Sequence, residues 1–484
     1  MLSYYKKVYG ANIMIAKMLL GSKQVDKGSY TTRLNPYSGD VASRAVLCDE
    51  GDVKEAFKIA KIASKEAKKT TISQRCEWLL DVAKTLKMQK EDIAKTITDE
   101  VGKPIAFSRV EVDRCIETIT LSAEFMRTMG GETINTDAMG SGFKTTAFYK
   151  REGVGVVVAI TPFNFPLNLV AHKLAPALVA GNSVVLKPTP EAPLSAFKLA
   201  SIFINSPFAI KDTLSVVYGD AEVGNALVTS DIPRVISFTG SVAVGEIITK
   251  NAGIKKVSLE LGGNAATFID SSAELKRAAA RCAMGAFINS GQVCISLQRI
   301  YVHSDIYDEF ASLLAQEARE LKVGSPYEDD TFMGPLIDEE AAQRALGWVN
   351  SAINEGAKAM LEPKVDGKIF YPCVMADVKD EMSIVCEEVF APIVSLIKVK
   401  DLDEALPKMN NSPYGLQFSI FTNSLANTQK AIEEFECGGV VVNDIPTLRF
   451  DIQPYGGVKL SGVGREGPKW AIEEFSEIKS VVII

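Results

Sequence analysis

The chain has 484 residues, too many for one hydrophobic core, so roughly two or three domains are expected. Apolar residues make up 47% and charged residues 23%, and 53 basic against 60 acidic side chains leave a net charge of −7. That balance offers no basic face to nucleic acid or to an anionic membrane, and no apolar run approaches the ~20 residues that span a bilayer.

Met1–Gly21 is mildly apolar behind Lys6 and Lys7, but Asn12 and Lys17 interrupt it. It reads as a short extension, with Met14 and Met18 as other candidate starts, leading into a surface strand near Met18–Val25. From Gly51 to Phe125 apolar residues recur three and four apart (Ala56, Ile59 and Ile62; later Leu79, Val82 and Ala83), which predicts helices. From Gly153 the character changes to alternating strands and helices. Strands are predicted at Val154–Ile160, Ser183–Lys187, Leu214–Tyr218, Val235–Phe238 and Lys256–Glu260. Helices are predicted between them at Pro166–Val179, Glu191–Phe203, Glu222–Val228 and Val242–Ala252. This alternation predicts a parallel sheet covered on both faces, of the dinucleotide-binding type. After Gly263 a second α/β unit begins. Asp270-Ser271-Ser272 is read as the cap of a helix running to about Asn289, Gly291 as its stop, and Arg299–His303 as the next strand. Ser480–Ile484 is a β-branched run, either an internal edge strand or a strand added to another subunit's sheet.

Eight cysteines without a C-x-x-C pair argue against a zinc site and a disulfide framework, and for a reducing cytoplasm. The two histidines, His172 and His303, read as structural, so acid–base work is assigned to a carboxylate. Gly240-Ser241 opens a helix after a strand, where free N–H groups attract phosphate, although the stretch is not G-x-G-x-x-G. Cys294 follows a helix end in Gly291-Gln292-Val293-Cys294. It is either a small buried hydrophobe or a reactive thiol. Glu260 ends a strand, facing the crevice where α/β sheets take ligands, or else is a solvated surface residue. Asn164 sits at another strand end, between Phe163 and Phe165. Together these residues suggest thiol chemistry beside a nucleotide.

Taken in order, Thr161–Pro166, Val184–Pro188, Phe238–Ser241, Leu259–Gly263, Gly291–Cys294, Glu387–Pro392, Pro454–Lys459 and Ser461–Glu466 resemble the aldehyde dehydrogenase superfamily. The resemblance covers the chain from about Met18. It implies an α/β fold with a Rossmann-type cofactor domain (18–128 and 150–260), a second α/β catalytic domain (261–460) and a β oligomerisation arm (129–149 and 476–484). A homodimer or homotetramer is the accompanying expectation. It also implies that Cys294 attacks an aldehyde, that Asn164 and the backbone N–H of Cys294 hold the oxyanion, and that Glu260 activates water against the thioester. For the dinucleotide, Lys187 would reach the adenosine ribose and Gly240, Ser241 and Val244 would meet the pyrophosphate. Glu388 and Phe390 would hold the nicotinamide ribose, with Ile160, Thr161, Pro162, Phe163, Gly224 and Leu261 lining the cleft. No metal is implied.

One departure concerns the coenzyme. Many NAD-preferring members carry a Glu three residues after the equivalent of Lys187, and here Pro190 stands there, followed by Glu191. Without that acid a 2′-phosphate is less repelled and Lys187 and Thr189 would receive it, so NADP is predicted over NAD. Gln292–Ser296, Asn164–Asn168 and Val442–Asp444 most resemble the branch acting on small hydroxyaldehydes such as lactaldehyde and glyceraldehyde, including the non-phosphorylating glyceraldehyde-3-phosphate enzymes, with succinate semialdehyde as a rival. Arg449 is either a substrate contact or a surface charge. A CoA-acylating enzyme, a non-catalytic binding protein and a thiol-based redox sensor, for which Cys282 is the one cysteine close to Cys294 in sequence, are the remaining alternatives. The first is disfavoured by Glu260, the second by the joint presence of Cys294, Glu260 and Asn164.

Overall fold

A computed structural model describes residues 14–484, so the reading of Met1–Ile13 as an extension lies outside the described residues. The predicted alternation is present. The strands Val156–Ile160 and Ser183–Lys187 are buried at every position, as central parallel strands with helices on both faces must be. They belong to an eight-stranded sheet in the order Gly462–Val463, Lys256–Glu260, Val235–Thr239, Val156–Ile160, Ser183–Lys187, Leu214–Val216, Met18–Leu20, Lys23–Val25. The parallel part of the sheet starts at Val156–Ile160, builds outward through Ser183–Lys187 and Leu214–Val216, then returns to lay Val235–Thr239 on the other side. The strand order therefore reverses between Ile160 and Thr239. Such a reversal opens a crevice at the carboxyl ends of the strands.

Met18–Val25 is not a surface strand. It is a tight antiparallel hairpin turning at Gly21 (φ 58°), and Met18 and Leu19 are buried against the sheet edge. The helical stretch resolves into α1 (Glu50–Ala67), α2 (Ile72–Met88), α3 (Lys90–Val101) and α4 (Ile105–Thr128). Helix α4 packs against α2 and against α5 (Asn168–Val179), which is buried all round. Helix α5 starts two residues later than predicted, because Pro166 and Leu167 lie in the preceding turn.

After Glu260 the chain crosses through Leu261–Asn264 into a seven-stranded sheet. Its order is Lys358–Ala359, Cys373–Ala376, Ile393–Val399, Leu297–His303, Ala265–Ile269, Gln417–Phe421, Gly439–Val442, parallel except at the first pair. The helix there spans Leu275–Phe287 and has no side-chain cap. Asp270 does not cap it, since its carboxylate accepts from Ser272 (2.5 Å) and Thr422 (2.7 Å) instead. Nor does the helix reach Asn289. Asn289, Ser290 and Gly291 all take left-handed φ (52°, 56° and 73°) and reverse the chain. A side chain at Gly291 would meet the Ala391 carbonyl at 2.3 Å, so glycine is required there. The C-terminal run finds a partner within the chain. Ser476–Ile483 pairs antiparallel with Thr146–Gly153 in a two-stranded ribbon, leaving Ile478, Val482 and Ile483 exposed.

Candidate active site

A cavity of about 610 Å³ lies at the crossing between the two sheets. Cys294, Glu260 and Asn164, which are far apart in sequence, all line it, together with Pro162, Phe163, Gly240, Ser241, Leu261, Glu388 and Phe390. Ile160, Thr161, Lys187, Thr189, Gly224 and Val244 do not line this cavity. Ile160 and Lys187 are register partners at the ends of adjacent strands, and a Cβ on Gly224 would lie 3.8 Å from Lys187 Cε. The helix Val242–Asn251 is capped by Ser241, so its free N–H groups open toward Gly240 and Ser241.

The glycines at the crossing explain how the two halves meet. A side chain at Gly262 would collide with the Glu388 carboxylate (2.4 Å), and one at Gly263 with the Cys294 carbonyl (2.2 Å). The Gly263 N–H donates to Glu388 Oε1 at 2.9 Å. Burial nevertheless pushes the Glu388 carboxyl up to about 7. Phe163 and Phe390 meet edge to face at 6.0 Å, and Phe390 itself holds a positive φ of 51°. Backbone strain is thus concentrated around this cavity, at Phe390 and in the turn before Cys294.

Glu260 is not a solvated surface residue. It is 3% exposed, and neither carboxylate oxygen has a hydrogen-bond partner among the described residues. Burial first, and the nearby Glu466 second, hold its carboxyl well above the usual range, while Arg449, Lys173 and Arg465 pull the other way. Glu466 behaves oppositely. Burial opposes its charge, but Lys173 (3.0 Å) and the nearby Arg449 hold it below the ordinary value. The Asn164 amide nitrogen reaches the Gln292 carbonyl at 3.1 Å, beside the Cys294 loop. The backbone N–H of Cys294 makes no hydrogen bond among the described residues. Burial pushes the Cys294 thiol up to about 11, and a hydrogen bond from Tyr455 and the charge of Arg449 oppose the rise.

A family comparison decides what this assembly belongs to: the aldehyde dehydrogenase family model matches residues 24–481. The chain is a member of the aldehyde dehydrogenase family. The dehydrogenase is 43% identical over 453 residues to 3-sulfolactaldehyde dehydrogenase of Priestia aryabhattai, covering 93% of this chain and 94% of that one. It is 40% identical to lactaldehyde dehydrogenase of Methanococcus aeolicus, covering 93% and 96%. Among solved structures it resembles glyceraldehyde-3-phosphate dehydrogenase GapN of Methanocaldococcus jannaschii complexed with NADP. The TM-score is 0.90 at 39% identity, over 94% of this chain and 99% of that one. The dehydrogenase is thus an oxidoreductase that converts an aldehyde to the acid with a nicotinamide dinucleotide.

Sequence reasoning missed one wall of the cavity. Phe107, Val110, Glu111 and Arg114 of α4 face it, and their spacing of three, four and seven is a helical stripe that marks one face. Within that wall Glu111 pairs with Lys103, both fully buried, and Lys103 lies 3.9 Å over the Phe165 ring. Helix α5 has no side-chain cap of its own. Glu111 supplies one from α4, accepting the N–H groups of Leu167 (2.8 Å) and Asn168 (3.1 Å). The Asn164 loop is therefore fixed at its exit. Arg281 and Arg344 also face the cavity, with no sequence signal beyond their helices. His172 is structural but close by, 3.0 Å from Asp451. Burial and Arg449 hold its imidazole below the usual range, against the pull of Asp451. His303 accepts the Asp305 N–H at a turn.

Proposed function

We propose that this enzyme oxidises a small 2-hydroxyaldehyde carrying a terminal anion, with NADP preferred over NAD. The observation that carries the substrate class is a charge imbalance. Arg114 and Arg449 line one end of the cavity with the buried Lys173 behind them, and among the described residues Asp451 and Glu466 are the carboxylates paired with them and held below their ordinary range, while burial holds the nearby Glu260 above it. Arg114 is held bidentately by Asp451 (2.9 and 2.8 Å). Arg449 stacks on the Tyr455 ring and its Nη2 lies 3.3 Å from the His172 ring nitrogen, but its nearest carboxylates are Asp451 at 3.8 Å and Glu466 at 3.6 Å, and its buried Nε has no hydrogen-bond acceptor among the described residues. A buried cation without a close carboxylate favours an anionic ligand, so Arg449 is read as a substrate contact. Sulfolactaldehyde and glyceraldehyde 3-phosphate, the compounds in two relatives' names, are both anionic 2-hydroxyaldehydes. Lactaldehyde shares the hydroxyl alone.

In the proposed mechanism Cys294 adds to the aldehyde carbon, forming a thiohemiacetal. The amide of Asn164 turns from the Gln292 carbonyl to the developing oxyanion, joined by the free N–H of Cys294. The nicotinamide ring supplies a hydride acceptor. The acid then leaves as Glu260 takes a proton from water attacking the thioester. Residues fit the dinucleotide. Lys187 is buried and its ammonium makes no hydrogen bond among the described residues, which suits a ribose or phosphate oxygen, and Glu388 suits the nicotinamide ribose. One contact weighs against NADP: the Thr189 hydroxyl binds the Glu191 carboxylate, whose charge also reaches Lys187. A 2′-phosphate would have to displace that carboxylate. The ribbon of Thr146–Gly153 and Ser476–Ile483, with Ile478, Val482 and Ile483 exposed, suits an oligomerisation arm between subunits.

The test is a matrix of NADP and NAD against lactaldehyde, sulfolactaldehyde, glyceraldehyde 3-phosphate and succinate semialdehyde, with Cys294→Ala as control. Higher kcat/KM for the anionic hydroxyaldehydes and for NADP is expected. Preference for uncharged lactaldehyde overturns the anion assignment, and an active Cys294→Ala overturns the mechanism.

A further inference from the structure

The sulfur of Cys294 has one polar side chain within hydrogen-bond distance among the described residues, the Tyr455 hydroxyl at 2.9 Å. Where a histidine ring would stand beside a reactive thiol in many enzymes, this chain has none: His172 faces Asp451 and His303 caps a distant turn. Tyr455 is 6% exposed and its hydroxyl has no other partner among the described residues. Its ring is covered by the Arg449 guanidinium, whose carbon lies 3.6 Å from the ring centroid. A cation over the ring face withdraws electron density from the phenol and strengthens its O–H as a donor.

We infer that the Tyr455 hydroxyl is a catalytic hydrogen-bond donor to the Cys294 sulfur, holding it as a thiolate before attack. The same short contact serves both states. While the sulfur is protonated its S–H donates to the phenol oxygen. When that proton leaves to solvent, the phenol rotates and donates to the charged sulfur, keeping its own proton throughout. On attack a sulfur lone pair forms the S–C bond and the carbonyl π pair moves to oxygen. The charge then leaves Tyr455 and arrives at Asn164. The thiol is partly buried, and burial disfavours the thiolate, so a donor at this position offsets part of that cost.

This inference rests on the reading of Cys294 as the nucleophile. Its test needs neither aldehyde nor dinucleotide. Alkylation of Cys294 by iodoacetamide is followed against pH in the full chain, by mass spectrometry of the Cys294 peptide, for wild type and Tyr455→Phe. Losing a hydrogen bond to a charged group should raise the midpoint by about one pH unit, or slow alkylation about tenfold below the midpoint. Alkylation of the buried Cys76 and Cys282 in the same samples reports any loss of fold. A site-specific 3-fluorotyrosine at 455, a stronger donor of nearly equal size, should lower the midpoint instead. Superimposable profiles in wild type and the fluorotyrosine protein overturn the inference, even if Tyr455→Phe fails to fold. An active Cys294→Ala would remove the nucleophile reading itself. An inactive Cys294→Ala with unmoved profiles would remove only the role of Tyr455.

Discussion

The two sides of the cavity are built in different ways. The proposed coenzyme side is made of strand ends: Ile160, Lys187, Thr239 and Glu260 terminate neighbouring parallel strands, of which Thr239 and Glu260 reach the cavity itself, and the chain-order reversal falls between them. The substrate side is made of a helix face and a loop: Phe107 to Arg114 of α4, and Thr447 to Tyr455. The first side follows from the sheet's topology and leaves a trace in sequence as strand-turn-helix punctuation. The second is assembled from long-range side-chain contacts, such as Arg114 with Asp451. The difference suggests that changes on the substrate side alter which aldehyde is used, and changes on the coenzyme side alter the dinucleotide or the whole reaction.

The largest expected effect tests where the sides meet. Asn164→Ala should lower kcat by about 10²–10³-fold for every aldehyde alike, read from steady-state rates with NADP. An effect on KM alone would move Asn164 to the substrate side. Next, Arg449→Met should cost the anionic aldehydes roughly 10- to 100-fold in kcat/KM, and lactaldehyde much less. Equal losses for both would remove the substrate contact and leave Arg449 acting through the Tyr455 ring or the fold alone. Glu466→Gln addresses the proton balance. Glu260 acts as a base only when deprotonated, and its carboxyl is held high, so activity should rise with pH. Removing the negative charge of Glu466 lowers the Glu260 value, shifting the rising limb of the kcat profile to lower pH by about one unit. A melting curve must accompany it, since Lys173 loses its partner. The smallest effect belongs to the coenzyme side. Glu191→Gln should raise the NADP/NAD ratio of kcat/KM a few fold by freeing Thr189 and Lys187, and a falling ratio would make Glu191 an NADP ally.

Much of the coenzyme side was legible because each piece is local. The strand of β-branched residues before Lys187, the glycine-serine turn before Val242 and the glycine pair after Glu260 are read within a few residues. The candidate trio was legible only as a set, since a buried Cys294, a turn Asn164 and a surface Glu260 were each plausible alone. What brings them together is one cavity at the crossing of two sheets, which no local window contains. The charge network was illegible for the same reason. Arg449 looked like a surface residue, and its neighbours Lys173, Asp451 and Glu466 come from three separate segments. The misread cap at Asp270 failed differently: its carboxylate had a competing partner in Thr422, 152 positions away.

Glu111 caps a helix it does not belong to, from 56 positions earlier in the chain. The turn carrying Asn164 is held at its exit only when α4 has docked and its buried ion pair has closed. During refolding, then, helix content should return before turnover does. A partly assembled chain, with native secondary structure and no working oxyanion site, would be the natural intermediate of this enzyme.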